Sequence, residues 1–275
     1  MAVLAFKERS SNSENNEEWL ITSQEIMPLN RPAHRSIILV HGFVGSPFDF
    51  KPVAEKLSNI GFRVVVPTVP GQTKNTLAYK RAEYKPEFYI EWLEDIIKDE
   101  TKRFNKKPFL VGFSMGGTLS TILASKNLVD KLILISPFYS LAYANNMIWN
   151  FSRGIKLILP LVHKFSKGMI NDPIGRKKYT PGSFIVSLEA FNHLERLAAY
   201  AKQLNTKITV PIMIIGSPYD QVASFAVTKK LYSSRPDVTI REYPDSNHIL
   251  MYDYNCEDVV LDIIRFISEC EEPSD

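Results

Sequence analysis

Pro108-Phe-Leu-Val-Gly112-Phe-Ser114-Met-Gly116-Gly-Thr-Leu-Ser-Thr-Ile-Leu-Ala124 is the stretch that decides how this sequence folds. It carries G-x-S-x-G at residues 112–116, with an apolar run before it and an Ala/Leu/Ile-rich segment after it. The spacing predicts a strand over 108–112 and a helix over 115–128. A serine on such a tight strand-to-helix turn has strained dihedrals and an exposed hydroxyl, so the residues two before and two after it must be small. The helix behind it turns unpaired N–H groups and a positive dipole end towards that hydroxyl, which suits an oxyanion forming there. The pattern alone arises by chance, and the flanking strand and helix give it weight.

Working outward, short apolar runs alternate with segments of helical period, the signature of βαβ units around a mostly parallel sheet flanked by helices. Strands are expected at 36–40, 62–66, 131–135, 210–215 and 238–243. Between the first two, Ser46-Pro47 offers an N-cap with proline at the first helical position, and Phe50, Val53, Ala54, Leu57 and Ile60 recur at helical spacing until Gly61. A helix after Pro86 places Tyr89, Trp92, Leu93, Ile96 and Ile97 on one face, and 255–267 closes the chain as an amphipathic helix. Residues 138–205 break the alternation. They are expected to be helices only, over 143–162 and 184–204, and so to form a cap inserted into a core of residues 19–137 and 206–275. Residues 1–18, rich in Ser, Asn and Glu, are expected to be a disordered tail.

The chemistry follows from what surrounds Ser114. In His41-Gly42-Phe43 a strand ends on a glycine, which lets the backbone turn so that the N–H of Phe43, with that of Met115, can form a two-donor oxyanion hole. With the order Ser, acid, His that this elbow implies, three of the five histidines remain as candidate bases. His163 and His193 lie within the expected cap, whereas His248, in Pro244-Asp-Ser-Asn-His248, directly follows the last strand, at the sheet edge where parallel sheets gather their active groups. Asp220, in Gly216-Ser-Pro-Tyr-Asp220 after the preceding strand, is the favoured acid, and Asp245 is its rival. Such a set takes the serine proton, forms an acyl-enzyme and returns the proton to the leaving group. His41 precedes Ser114 and is expected to be structural.

Composition narrows the alternatives. A net charge of +3 over 275 residues is small, and no stretch concentrates Lys and Arg enough to neutralise phosphates, so nucleic acid is not an expected partner. Two cysteines, Cys256 and Cys270, lie too close together to staple a fold, which points to a reduced compartment. No signal peptide or membrane span is read, so a cytoplasmic protein is expected. The site needs no cofactor and no metal.

In order along the chain, His41-Gly-Phe43, Gly112-Phe-Ser-Met-Gly116, Gly216-Ser-Pro-Tyr-Asp220-Gln-Val222 and Ser246-Asn-His248 resemble the bacterial carboxylesterase and monoacylglycerol lipase group of α/β hydrolases. The resemblance runs from about residue 35 onward; the cap matches only in size, position and helical character. It implies Ser114 as nucleophile, Asp220 and His248 as its partners, the Phe43 and Met115 N–H groups as oxyanion hole, and an acyl ester or lipid substrate. Where that group often has Gly-His-Gly after the second core strand, this chain has Pro70-Gly71-Gln72-Thr73. Because that loop lines the pocket mouth in relatives, substrate preference does not carry over. The same triad would serve a thioesterase or acyltransferase, and a ligand-binding protein that has lost the chemistry is the reading from another class. The large apolar side chains of the cap, Met147, Trp149, Phe151, Met169, Phe184 and Phe191 among them, are expected to supply an acyl pocket and transient contact with a lipid surface.

Overall fold

A computed structural model describes residues 7–9, 16–73, 76–142, 161–163, 166–182 and 185–268. The strands are β1 (Lys7–Arg9), β2 (Gln24–Ile26), β3 (Ser36–Val40), β4 (Arg63–Val66), β5 (Phe109–Phe113), β6 (Lys131–Ile135), β7 (Leu161–His163), β8 (Ile185–Ser187), β9 (Ile212–Gly216) and β10 (Val238–Glu242). The helices are α1 (Asn16–Trp19), α2 (Lys51–Asn59), α3 (Pro86–Phe104), α4 (Met115–Ala124), α5 (Pro173–Lys178), α6 (Leu188–Leu204), α7 (Phe225–Tyr232) and α8 (Cys256–Ser268). Eight strands form one sheet in the order β1-β2-β4-β3-β5-β6-β9-β10, and all its pairings are parallel except that of β2 with β4. This is the α/β-hydrolase fold.

The central strands read as unbroken apolar runs because helices cover both faces of the sheet. Successive side chains alternate between two cores. Ile38, Val40, Leu110, Leu132, Leu134, Ile212 and Ile214 join the core under α3, α4 and α6. Ile37, Leu39, Val111, Phe113, Ile133, Ile135, Met213 and Ile215 join the core under α2 and α8. The buried charges at the opposite end of the strands from Ser114 are mutually satisfied: Arg63 pairs with Glu25 at 2.7 Å and Glu100 at 3.0 Å, and Ser36 donates to Glu100. Lys131 caps the last helix by donating to the carbonyls of Phe266 (2.6 Å) and Ile267 (3.0 Å).

Four expectations are corrected or qualified. Ser46 precedes a 3-10 turn, Pro47–Phe50, and makes no capping bond; α2 begins only at Lys51. The stretch expected to be a disordered tail, residues 1–18, holds β1, which adds to the sheet edge beside β2, and the first three residues of α1. Residues 138–205 are not helical throughout: β7 and β8 pair antiparallel as a small separate sheet, so Leu161 and Val162 lie on a strand, and the expected helix at 184–204 begins only at Leu188. The remainder of the helix expected at 143–162 lies outside the described residues, as do Met147, Trp149, Phe151 and Phe184.

Candidate active site

Ser114 stands between β5 and α4 with φ 53° and ψ −116°, a conformation that L-residues rarely adopt. Its surroundings hold it there: its N–H donates to Ile135 O (3.0 Å), and its carbonyl accepts from Phe138 N (3.1 Å) and Thr118 N (3.2 Å). The need for glycine on either side is steric. A β-carbon on Gly112 would lie 2.4 Å from Gly116 O, and one on Gly116 would lie 1.9 Å from Val40 O.

The three side chains predicted to act together form one hydrogen-bonded line. His248 Nε2 is 3.1 Å from Ser114 Oγ, and His248 Nδ1 is 2.7 Å from Asp220 Oδ2. All three are buried. Each follows the C-terminal end of a parallel strand, Ser114 after β5, Asp220 after β9 and His248 after β10. The other carboxylate oxygen of Asp220 accepts the N–H groups of Val222 (2.7 Å) and Ala223 (2.9 Å), which fixes the rotation that aims Oδ2 at the ring. With Asp220 on Nδ1, the proton of a neutral imidazole sits there and leaves Nε2 as acceptor towards the serine. Asp245 is exposed, and among the described residues only its main-chain carbonyl is used, by Asn171 Nδ2 at 3.0 Å.

On the other side of Ser114, the turn Gly42–Gly45 is closed by Gly45 N donating to Gly42 O at 3.1 Å. A β-carbon on Gly42 would lie 3.2 Å from Ser114 Cβ, so this turn abuts the serine and sets Phe43 beside it. Met115 is the first residue of α4, where an N–H has no intrahelical acceptor. The Phe43 ring meets Phe191 edge-on at 6.1 Å, and Phe191 meets Phe138 at 5.7 Å. His41 is structural: its Nε2 accepts the Val69 N–H at 2.9 Å, so Nδ1 carries the proton and faces Gly42 O. His193 is spent on Tyr84 O, and His163 lies on β7. Burial pushes the Cys256 thiol up to about 11, with Glu257 adding to the shift, so it remains protonated near neutral pH and is a poor nucleophile. Cys270 lies outside the described residues.

Two supporting residues were not singled out from sequence. Asn247 Oδ1 accepts both Gln221 N (3.1 Å) and His248 N (2.9 Å), tying the acid loop to the histidine. Asp253, also buried, accepts backbone N–H groups of Asn171, Asp172, Asn247 and Tyr254 at 2.8–2.9 Å. Through it the strap 168–182, which follows β7, is bound to the histidine loop. The strap is also bound to the Gly42 turn region: Tyr179 OH donates to buried Asp49 at 2.9 Å, and a β-carbon on Gly182 would lie 2.3 Å from Gly45 O.

Residues 31–255 match the family Hydrolase_4, described as serine aminopeptidase, S33. A thermostable monoacylglycerol lipase of Bacillus sp. (strain H-257) is 30% identical over 90 residues, 32% of this chain and 34% of that protein, so the match spans about a third of the relative's length. Among solved structures, one described with LipS and LipT, two metagenome-derived lipolytic enzymes, is similar with a TM-score of 0.75 at 18% identity, covering 89% of this chain and 97% of that one. A soluble variant of monoglyceride lipase from Saccharomyces cerevisiae is similar with a TM-score of 0.74 at 17% identity, covering 90% of this chain and 91% of that one.

Proposed function

This chain belongs to the Hydrolase_4 family, and from that premise we propose that it is a serine hydrolase of carboxylic esters, with short to medium acyl chains and monoacylglycerols as its substrate class. The observation that carries the reading is the continuous Ser114–His248–Asp220 line behind a strained serine. In this reading Ser114 Oγ attacks the ester carbonyl while His248 Nε2 takes its proton. The N–H groups of Phe43 and Met115 bind the oxyanion. His248 then gives the proton to the departing alcohol, and water, deprotonated by the same ring, releases the acid from the acyl-enzyme. Asp220 keeps the ring in the required tautomer. Residues 138–205 act as the cap over this site.

The family description names a peptidase, whereas the curated relative and the solved structures are named for lipid and ester substrates. A panel of p-nitrophenyl esters beside aminoacyl p-nitroanilides separates the two: esters are expected to turn over at least 100-fold faster, and the reverse order would replace the ester reading with the peptidase one.

Phe43, Phe138 and Phe191 form an apolar cluster next to Ser114, and Phe191 belongs to the proposed cap. Burying a methylene is worth about 0.8 kcal/mol. Across the p-nitrophenyl series kcat/KM should therefore climb from acetyl to hexanoyl or octanoyl, by up to ~100-fold, and then level off. A profile that is flat or falling over that range removes the lipid-like substrate class.

The acid is tested by two substitutions. Asp220→Asn keeps the shape but offers an amide to Nδ1, favouring the wrong tautomer, and should lower kcat by about 10³–10⁴-fold. Asp245→Ala should leave kcat within about twofold. A crippled Asp245→Ala enzyme beside an active Asp220→Asn enzyme would transfer the role to Asp245.

A further inference from the structure

Val44 has φ 51°, in the left-handed region that a β-branched side chain strongly disfavours, and its side chain is buried. It directly follows Phe43, so the direction of the Phe43 N–H depends on that turn keeping its conformation. Gln72 holds it from across the loop after β4. Its Oε1 accepts the Val44 N–H at 2.9 Å, and its Nε2 donates to the Tyr89 hydroxyl on α3 at 2.7 Å. Gln72 is fully buried, and burial raises the pKa of Tyr89, so the phenol stays neutral. Both ends of the amide are thus used, which fixes which end faces Val44. The same two loops are joined once more by His41 and Val69.

We propose that Gln72 is a positioning residue for the oxyanion hole, which holds the strained Val44 turn so that the Phe43 N–H is aimed before the substrate arrives. This rests on the proposed serine-hydrolase chemistry. Without the acceptor, the Val44 N–H would be buried and unpaired, which the turn can relieve only by rotating out of the left-handed region. That rotation swings the peptide bearing the neighbouring N–H. Losing a single oxyanion donor typically costs 10²–10³ in kcat, so misaiming one costs about 10–100-fold. A positioning role of this kind acts on the tetrahedral species and not on the ground-state ester.

The test compares Gln72→Leu, which keeps bulk but not the acceptor, with Gln72→Glu, which keeps an acceptor oxygen. For each, kcat and KM on a p-nitrophenyl ester are measured beside the Ki of an alkyl trifluoromethyl ketone, whose hemiketal adduct with the serine oxygen carries the oxyanion. For Gln72→Leu, kcat should fall about 10–100-fold with KM within about threefold, and the ketone Ki should rise by the same factor as kcat falls. Gln72→Glu should recover most of both. A folded Gln72→Leu enzyme with wild-type kcat and Ki, or one in which only KM rises, overturns the proposal. Tyr89→Phe carries the test if Gln72→Leu does not fold: it removes only the hydroxyl that orients the amide, and should lower kcat and weaken the ketone together by about 3–10-fold, an unchanged pair again overturning it. Failure of the underlying chemistry looks different, because the wild-type protein would then neither hydrolyse the ester nor bind the ketone.

Discussion

Ser114→Ala should lower kcat for ester hydrolysis by a factor of 10⁴ or more and abolish covalent labelling by a fluorophosphonate, while the melting transition stays in place. The fold is spared because alanine keeps the same β-carbon at φ 53°, and the bonds that hold this turn are main-chain bonds to Ile135, Phe138 and Thr118. Activity is not spared because nucleophile and base act as a unit, and the loss of one forfeits nearly what the loss of both would. The His248 ring, 3.1 Å away, would then have only water to activate. Intact-mass measurement after probe treatment gives a clean reading: one adduct on the wild-type chain and none on the variant. An adduct retained on Ser114→Ala would place the nucleophile elsewhere.

Gly116→Ala should be the most damaging single methyl in the chain's core turn, and through a different route. The added carbon would lie 1.9 Å from Val40 O and 2.8 Å from His41 O, both backbone atoms of β3 and its end, so no side-chain rotation relieves it. Either α4 moves away from the sheet, which opens the core it shares with α3 and α6, or β3 moves, which disturbs both cores. Overpacking of this severity lies at or beyond the about 3 kcal/mol upper end of ordinary cases. At roughly 2–4 °C per kcal/mol for a chain of this size, that is a fall of about 6–12 °C in Tm. Activity should fall with it, since Met115 and Ser114 ride on the displaced helix. Gly168→Ala is the matched control, for nothing lies within 4 Å of a β-carbon there. Equal melting temperatures for the two variants would show that the turn is more compliant than its contacts imply.

The parts of this molecule legible from sequence are those with a local signal. Strands β3, β6 and β9 each hold four consecutive apolar residues, and β5 is apolar around Gly112, because both faces are buried, and a glycine two residues on either side of a serine marks the tight turn. Strands β1, β2, β7 and β8 have three residues each, too few for any period to register, and they exist because a partner strand is nearby. The choice between Asp220 and Asp245 rests in sequence on loop position alone; in space, one is 2.7 Å from the ring and the other is exposed. Gln72, Asn247 and Asp253 left no mark for a similar reason. Their partners include backbone N–H groups, which every residue but proline possesses, so no pairing of side-chain types betrays them.

The strap 168–182 has a consequence for evolution and for engineering. It is sequence-continuous with the segment inserted between β6 and β9, yet its anchors are Asp253, Asn247 and Asp49, which belong to the parental scaffold. Insertions tied down only at their two ends behave as interchangeable cassettes; this one is grafted in the middle as well. A chimera that imports a whole foreign 138–205 would take from buried Asp253 the N–H groups of Asn171 and Asp172 and from buried Asp49 the Tyr179 hydroxyl, and the first loss would slacken the very loop that carries His248. Exchanging only a segment within 138–167, or only one within 183–205, keeps those contacts within one parent. The heritable module is therefore the strap together with the core, and variation in substrate preference is free to accumulate on either side of it.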